Sequence, residues 1–377
     1  MLSLYQLSRS QLSAQVAAWG CAELHAQRLW SYLYRDVATN FEAMFELPAR
    51  LRERLQCEAT IVQLQPAEER QSHDRLTRKY LFALADGAVV ETALMRMRDR
   101  WTVCLSSQAG CALGCVFCAT GQAGFTRNLT TAEIVAQAMF VQRQLLDACD
   151  ATPPVRRPGG DRAKASTLRN IVMMGMGEPL LNYDATIGAI ETLSDPSGLA
   201  IGAKQITLST VGVIPGIIRL ADEHQPFSLA VSLHAATQEQ RSELVPAART
   251  WPLDELLDAC RYYAAKLDRR IFFEWTLIEG ANDSIEQARL LARLLRDIPS
   301  QINLIPLNHT DGYRGAAAAT SSLDRFHQTL RDEGMAVSVR QHRGIDIAGG
   351  CGQLAGRALH ELDTTPNSSS RGKSVAV

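Results

Sequence analysis

The spacing of hydrophobic positions changes twice along the chain. Over roughly the first 56 residues it is helical: Ser8 opens a segment that runs to Gly20, Leu24, Leu29, Trp30 and Leu33 recur at helical intervals, and Phe41, Met44, Phe45, Leu51 and Leu55 mark a third helix. From about Thr60 the period becomes two. Tyr80–Leu84, then Asp86-Gly87, then Val89–Leu94 read as a β-hairpin, because Asp-Gly tolerates the positive φ of a tight turn. Beyond Thr102, short apolar runs alternate with amphipathic stretches. The runs are Thr102–Ser106, Asn170–Met174, Gln205–Ser209, Ser228–Ser232, Ile271–Thr276, Ile302–Ile305 and Ala336–Arg340; the helical stretches lie near 131–148, 183–194, 252–267, 284–296 and 321–333.

Strand–helix alternation at this spacing predicts parallel βαβ units. The strands are too few for a closed eight-fold barrel, so the fold class is α/β, a partial (β/α)6-type barrel with its chemistry at the C-terminal strand ends. Four regions follow: an N-terminal helical accessory domain over 1–58, a short β-hairpin linker over 59–100, the barrel over 101–356, and a polar, disordered tail over 357–377. Thr152–Ser166, rich in Pro, Gly and Arg, reads as a mobile surface insertion.

Composition adds little to the fold but narrows the function. With 46% hydrophobic and 21% charged residues the chain is an ordinary globular one. It has no apolar run long enough to cross a bilayer and no signal-peptide layout, which places it in the cytoplasm away from membranes. The net charge of −1 names no partner. A nucleic-acid-binding surface would have to come from local clusters: Arg50, Arg52 and Arg54; Arg96, Arg98 and Arg100; or Arg156, Arg157, Arg162 and Lys164. Nine cysteines in a cytosolic chain point to metal or redox chemistry rather than a disulfide framework.

Three of them stand in Cys111-Ala-Leu-Gly-Cys115-Val-Phe-Cys118, directly after a predicted strand. Three thiolates on one loop suit three irons of a [4Fe-4S] cubane and leave the fourth iron open to a ligand. A structural zinc site would need a fourth Cys or His, and the following helix offers none. Met174-Gly175-Met176-Gly177-Glu178-Pro179 follows the second barrel strand; its glycines permit close approach, and Glu178 can accept hydrogen bonds from an ammonium group. Ser209, Ser232-Leu233-His234 and Asn308 end or follow later strands and so converge on the same mouth. Cys351 lies among glycines after the last strand, an approachable thiol. Cys104, on the strand leading to the cluster loop, also reads as core, and Cys21, Cys57, Cys149 and Cys260 read as packing residues.

CxxxCxxC resembles the signature of radical S-adenosylmethionine (SAM) enzymes. Taken with Cys104-Leu-Ser-Ser-Gln-Ala-Gly-Cys111, Met-Gly-Met-Gly-Glu-Pro-Leu-Leu-Asn, Ser-Leu-His-Ala, Asn303–Asn308 and Cys351-Gly-Gln-Leu, the chain from about residue 20 to 356 resembles the RlmN/Cfr RNA adenine methyltransferases. The resemblance implies a radical SAM barrel. It implies a cluster on Cys111, Cys115 and Cys118, and SAM held by Gly177, Glu178, Ser209, Ser232, Leu233, His234 and Asn308. It also implies two SAM molecules per turnover. One methylates Cys351; the other yields the radical that takes hydrogen from that methyl group, so that the carbon adds to an adenine. Glu91, thirteen residues before Cys104, resembles the base for the ring proton, and Cys104 the thiol that frees the product by a transient disulfide. Implied partners are 23S rRNA, tRNA and an electron donor such as flavodoxin, with the enzyme a monomer.

Pro179 resembles the carbon-2 branch of the family, whereas Gly344-Ile-Asp-Ile also occurs in carbon-8 enzymes that confer antibiotic resistance; Gly349-Gly350 and Leu307 depart from the usual alanines and aromatic. A reading of another class is a cysteine-rich electron carrier or zinc-stabilised RNA-binding module, which would consume no SAM.

Overall fold

The computed structural model describes every residue except 98–99, 151–166, 342 and 356–377. The expected insertion at Thr152–Ser166, its basic cluster, Arg98 and the expected tail therefore lie outside the described residues.

Ten strands form one sheet, ordered β14-β13-β12-β11-β10-β9-β6-β5-β4-β3. Seven run parallel and in chain order: β6 (Arg100–Cys104), β9 (Leu168–Met173), β10 (Ile206–Thr210), β11 (Ser228–Ser232), β12 (Ile271–Leu277), β13 (Ser300–Pro306) and β14 (Val337–Val339). Helices connect them, including Thr131–Asp150, Tyr183–Ser194, Leu253–Leu267, Ile285–Leu294 and Thr320–Asp332. The result is six βα units and a seventh strand, the expected open barrel. Along β12, alternation puts Ile271, Phe273, Trp275 and Leu277 in the outer core, where Trp275 meets Phe326 with ring centroids 5.8 Å apart. Glu274 and Thr276 take the other face.

The helix Ile214–Asp222 was not legible from periodicity. Pro215 and Gly216 look like breakers, yet proline suits the first helical turn, and Gly216 lets Leu180 pack where a Cβ would lie 2.8 Å from that side chain. The helix Gln238–Leu244 and the small hairpin of β7 (Gln108–Gly110) with β8 (Phe125–Asn128) were missed too.

The region expected as a hairpin linker belongs to the barrel's own sheet. β4 (Thr77–Ala83) and β5 (Val89–Met97) flank the Asp86-Gly87 turn, β3 (Pro66–Gln71) adds a third strand, and β5 pairs with β6. Tyr80 and Phe82 meet Phe140 edge-on, each with centroids 5.0 Å away, which fastens this extension to the long helix.

In the front piece Ser8 caps Arg9–Ala18 through a reciprocal capping box with Gln11. Glu23–Tyr34 and Ala49–Glu58 follow, and β1 (Leu2–Ser3) pairs with β2 (Ala59–Thr60). Leu24 and Phe45 are exposed, and the third helix starts only at Ala49, because Phe41–Leu47 forms turns. The piece shares a continuous core with the barrel, and Arg9 donates to Ser197 Oγ at 2.8 Å. Among the described residues no helix is long and apolar enough to cross a membrane.

Candidate functional site

The three-cysteine loop is bracketed by β7 and β8, a two-stranded ladder separate from the main sheet. Gly110 is left-handed (φ +75°), and a Cβ there would lie 2.0 Å from the Gly124 carbonyl oxygen, so only glycine lets these backbones approach. The loop is pinned by Cys111 N donating to Gly124 O at 2.7 Å and Val116 N to Leu244 O at 3.1 Å. Cys111, Cys115 and Cys118 are free thiols. Burial, followed by neighbouring thiols and Glu178, pushes Cys115 well upward; Cys111 rises to about 12, again mainly by burial. Crowded thiols raised mainly by burial, with the Arg241 guanidinium the one opposing charge on Cys115, suit a cationic centre that would favour their thiolates. Among the described residues no three such groups converge on a single ion. A cubane is wider than an ion and presents a separate iron to each thiolate, so the donor set fits it.

Beside this loop lies a cavity of about 150 Å³, bordered by Cys115, Cys118, Gly177, Glu178, Ser209, Ser232, His234, Asn308 and Cys351. The glycine-rich turn reaches it because Gly177 has φ +97° and a Cβ there would lie 2.4 Å from Gln108 Cβ. Glu178 is buried, which pushes its carboxyl up to about 7; Val211 N at 2.9 Å and Leu180 N at 3.0 Å donate to its oxygens and act against that shift. His234 takes a left-handed backbone (φ +61°), and its Nδ1 accepts from Thr276 N at 3.0 Å. Burial, and then Arg241, lowers His234 to about 3, so it is neutral. Its ring meets Phe117 edge-on at 4.8 Å.

Leu233 is the exception among the expected SAM-binding residues. It is fully buried in the outer core and does not border the cavity, since neighbouring strand residues face opposite sides. Its carbonyl serves instead, accepting from the buried Arg241, whose guanidinium also reaches Val211 O and Ser232 O. Arg241 ties two strand ends together, and nothing in its sequence context announced it.

A second cavity, about 930 Å³, borders both Cys104 and Cys351 and meets the first at Cys351, Asn308 and Arg340. Cys351 is exposed, and its carbonyl accepts from Asn308 Nδ2 at 3.0 Å. Cys104 is buried, which pushes its thiol up to about 12; Cys351 raises it further and the Arg340 guanidinium opposes. Arg340 pairs with buried Glu274 at 2.6 Å, and Asn303 Nδ2 donates to the same carboxylate oxygen at 3.0 Å. These three residues were not anticipated, although a carboxylate inside Ile271-Phe-Phe-Glu-Trp-Thr-Leu was a visible signal.

Glu91 borders neither cavity. Its buried carboxylate pairs with Lys79 at 3.0 Å and accepts from Ala355 N at 2.7 Å, four residues past Cys351. Of the supposed packing cysteines, Cys260 is buried and Cys21 packs at the edge of the core, but Cys57 is exposed because its helix buries Leu51 and Leu55 instead. The side chain of Cys149 lies outside the described residues.

Residues 105–292 match the family model of the radical SAM superfamily, and residues 2–61 match that of the ribosomal RNA large subunit methyltransferase N-terminal domain. A probable dual-specificity RNA methyltransferase RlmN 2 of Opitutus terrae is 54% identical, covering 94% of this chain and 86% of the relative. Dual-specificity RNA methyltransferase RlmN 1 of Myxococcus xanthus is 51% identical over 93% and 94% of the two chains. A crystal structure of a radical SAM methyltransferase from Sphaerobacter thermophilus superposes with a TM-score of 0.87 at 43% identity, covering 95% of this chain and all of that one.

Proposed function

Since the chain belongs to the RlmN family of radical SAM RNA methyltransferases, we propose that it methylates carbon 2 of adenosine in 23S rRNA and in tRNA, with Cys351 as the carrier of the new carbon. The observation that carries this reading is the second cavity: it joins Cys104 and Cys351, 247 positions apart in sequence, and meets at Cys351 the cavity bordered by the cluster cysteines. Neither thiol needs such a partner for packing.

Bound to Cys111, Cys115 and Cys118, a [4Fe-4S] cluster with SAM would supply the 5′-deoxyadenosyl radical chemistry that an unactivated C–H bond requires. The chain's own residues do the rest. Glu178 would take SAM's ammonium group, Gly177 would allow its close approach to the turn, and Ser209, Ser232, His234 and Asn308 would border its seat. Cys351 takes a methyl group from a first SAM and presents it to the adenine when a second SAM reacts. Glu91, once released by the Ala355 amide, accepts the ring proton while the adduct's unpaired electron passes out to the enzyme's one-electron redox partner, leaving a closed-shell thioether between Cys351 and the ring. Cys104 then attacks the Cys351 sulfur; an S–S bond forms, the S–C bond breaks, and the carbon leaves as the product methyl after taking a proton.

The N-terminal helical piece, residues 1–58, serves RNA binding. The enzyme works in the cytoplasm as a monomer, and an electron donor such as flavodoxin reduces it. The RlmN names of its relatives do not favour carbon-8 methylation. Mass spectrometry of adenosines from RNA of a deletion strain tests the reading: 2-methyladenosine should vanish and return on complementation. Its retention, or a change confined to 8-methyladenosine, would overturn it. In the purified protein Cys351→Ala should abolish modified RNA while leaving bound iron unchanged.

A further inference from the structure

The two cavities differ in charge. The smaller, beside the three cysteines, is bordered by Glu178, Glu274 and Arg340; Glu274 and Arg340 pair with each other, which leaves the Glu178 carboxyl for a ligand carrying ammonium and sulfonium groups. The larger is bordered by Arg100, Lys204, Arg340 and Arg343 and by no carboxylate. Glu274 neutralises Arg340, and Arg343 lies 3.7 Å from Asp74. Arg100 and Lys204 are exposed and have no ion pair among the described residues.

Position along the strands adds a direction. Arg100 is the first residue of β6, and Lys204 stands just before β10, so both mark the N-terminal ends of the parallel strands. Asn170, Gln205 and Thr207 border the cavity further along the lumen, and Cys104 and Cys351 close it at the other end. The cavity therefore runs the length of the barrel, from a basic mouth to the thiols. Met97 and Val339, both exposed apolar side chains, also border it. An unpaired base has apolar faces to cover and flanking phosphates to neutralise, and this mouth offers both kinds of surface.

We infer that the target nucleotide of the RNA enters this lumen from the N-terminal ends of the strands, opposite the cluster loop, with Arg100 and Lys204 on its flanking phosphates. The inference rests on the proposed RNA methyltransferase activity and adds the route, the seat and two binding residues. It also separates the substrates: SAM sits on the carboxylate side of Cys351 and the nucleotide on the basic side, so each can reach the same sulfur without displacing the other.

The test uses the full chain and a labelled RNA hairpin with one unpaired adenosine in its loop, titrated at several KCl concentrations. Losing two single-strand phosphate contacts should flatten the slope of log affinity against log salt by about 1.4, at roughly 0.7 per contact, and weaken binding about tenfold in Arg100→Ala/Lys204→Ala. Methylation of Cys351 by SAM, read as intact mass, should match wild type in that variant. An unchanged slope and affinity would overturn the inference.

A second variant, Thr207→Phe, fills the lumen away from the SAM cavity. It should keep Cys351 methylation but lower RNA product at least a hundredfold; product at the wild-type rate would also overturn the route. Failure of wild type to methylate Cys351 would instead count against the methyltransferase mechanism, while the salt titration would still decide the binding face.

Discussion

The two loops that bring cysteines to the barrel mouth are held in opposite ways. The loop of Cys111, Cys115 and Cys118 is bracketed by a two-stranded ladder and pinned by backbone bonds to Gly124 and Leu244, and Gln122 Nε2 donates back to Val116 O at 2.7 Å. Among the described residues the Cys351 loop has no ladder. Single polar groups from separate elements hold it: Asn308 on Cys351 O, Gln353 Nε2 on His309 O at 3.0 Å, Ala119 N on Gly352 O at 2.7 Å, and Glu91 on Ala355 N. Ligands to a fixed centre need backbone rigidity. A thiol proposed to serve a methyl donor, a nucleotide and a second thiol gains from a loop that opens by breaking few bonds. Perturbing one loop should therefore remove the cofactor, and perturbing the other should alter its use.

The largest expected effect is on the rigid loop. Cys115→Ala should abolish iron binding after anaerobic reconstitution, and with it all 5′-deoxyadenosine formation; a variant that retains full iron and radical chemistry would end the cluster assignment. Next, Cys104→Ala should leave iron content intact but accumulate a covalent protein–RNA adduct, visible as a shifted band on a denaturing gel. Ordinary turnover by that variant would remove Cys104 from the reaction.

A smaller effect is expected where the Cys351 loop is latched. Glu91→Ala strips the partner from the nearly buried Lys79 and should cost about 3 kcal/mol in urea unfolding. A cost below about 1 kcal/mol would show that the pair is solvated in solution. The smallest should come from Asn308→Ala, which removes one hydrogen bond to the Cys351 carbonyl and should cost about 1 kcal/mol. Amide exchange should rise in residues 349–354 and stay unchanged in 111–118; faster exchange in both would erase the contrast between the loops.

Much of this was legible in the sequence. Period-two and helical spacing located the parallel strands and the helix Tyr183–Ser194, and the Asp86-Gly87 turn marked the hairpin, because each depends on neighbours within a few residues. That the three-cysteine loop and the glycine-rich turn follow strands and meet at one mouth was equally legible, and the structure brings both to one cavity. The side chain of Leu233 points away from the cavity that Ser232 and His234 border, because a motif names consecutive residues while their side chains need not share a face. Cys57 was misassigned because a lone cysteine carries no periodic signal.

What the sequence alone determined is the chemistry available to the chain: three thiols at cluster spacing, two further cysteines, and six βα units with a seventh strand to carry them. Only the tertiary structure decided that the hairpin continues the barrel sheet, that Arg340 and Glu274 pair beside the thiols, and that two cavities of different charge meet at Cys351. These facts join residues separated by dozens to hundreds of positions. They arise from strand register and packing, which bring distant residues together without leaving a local pattern to read.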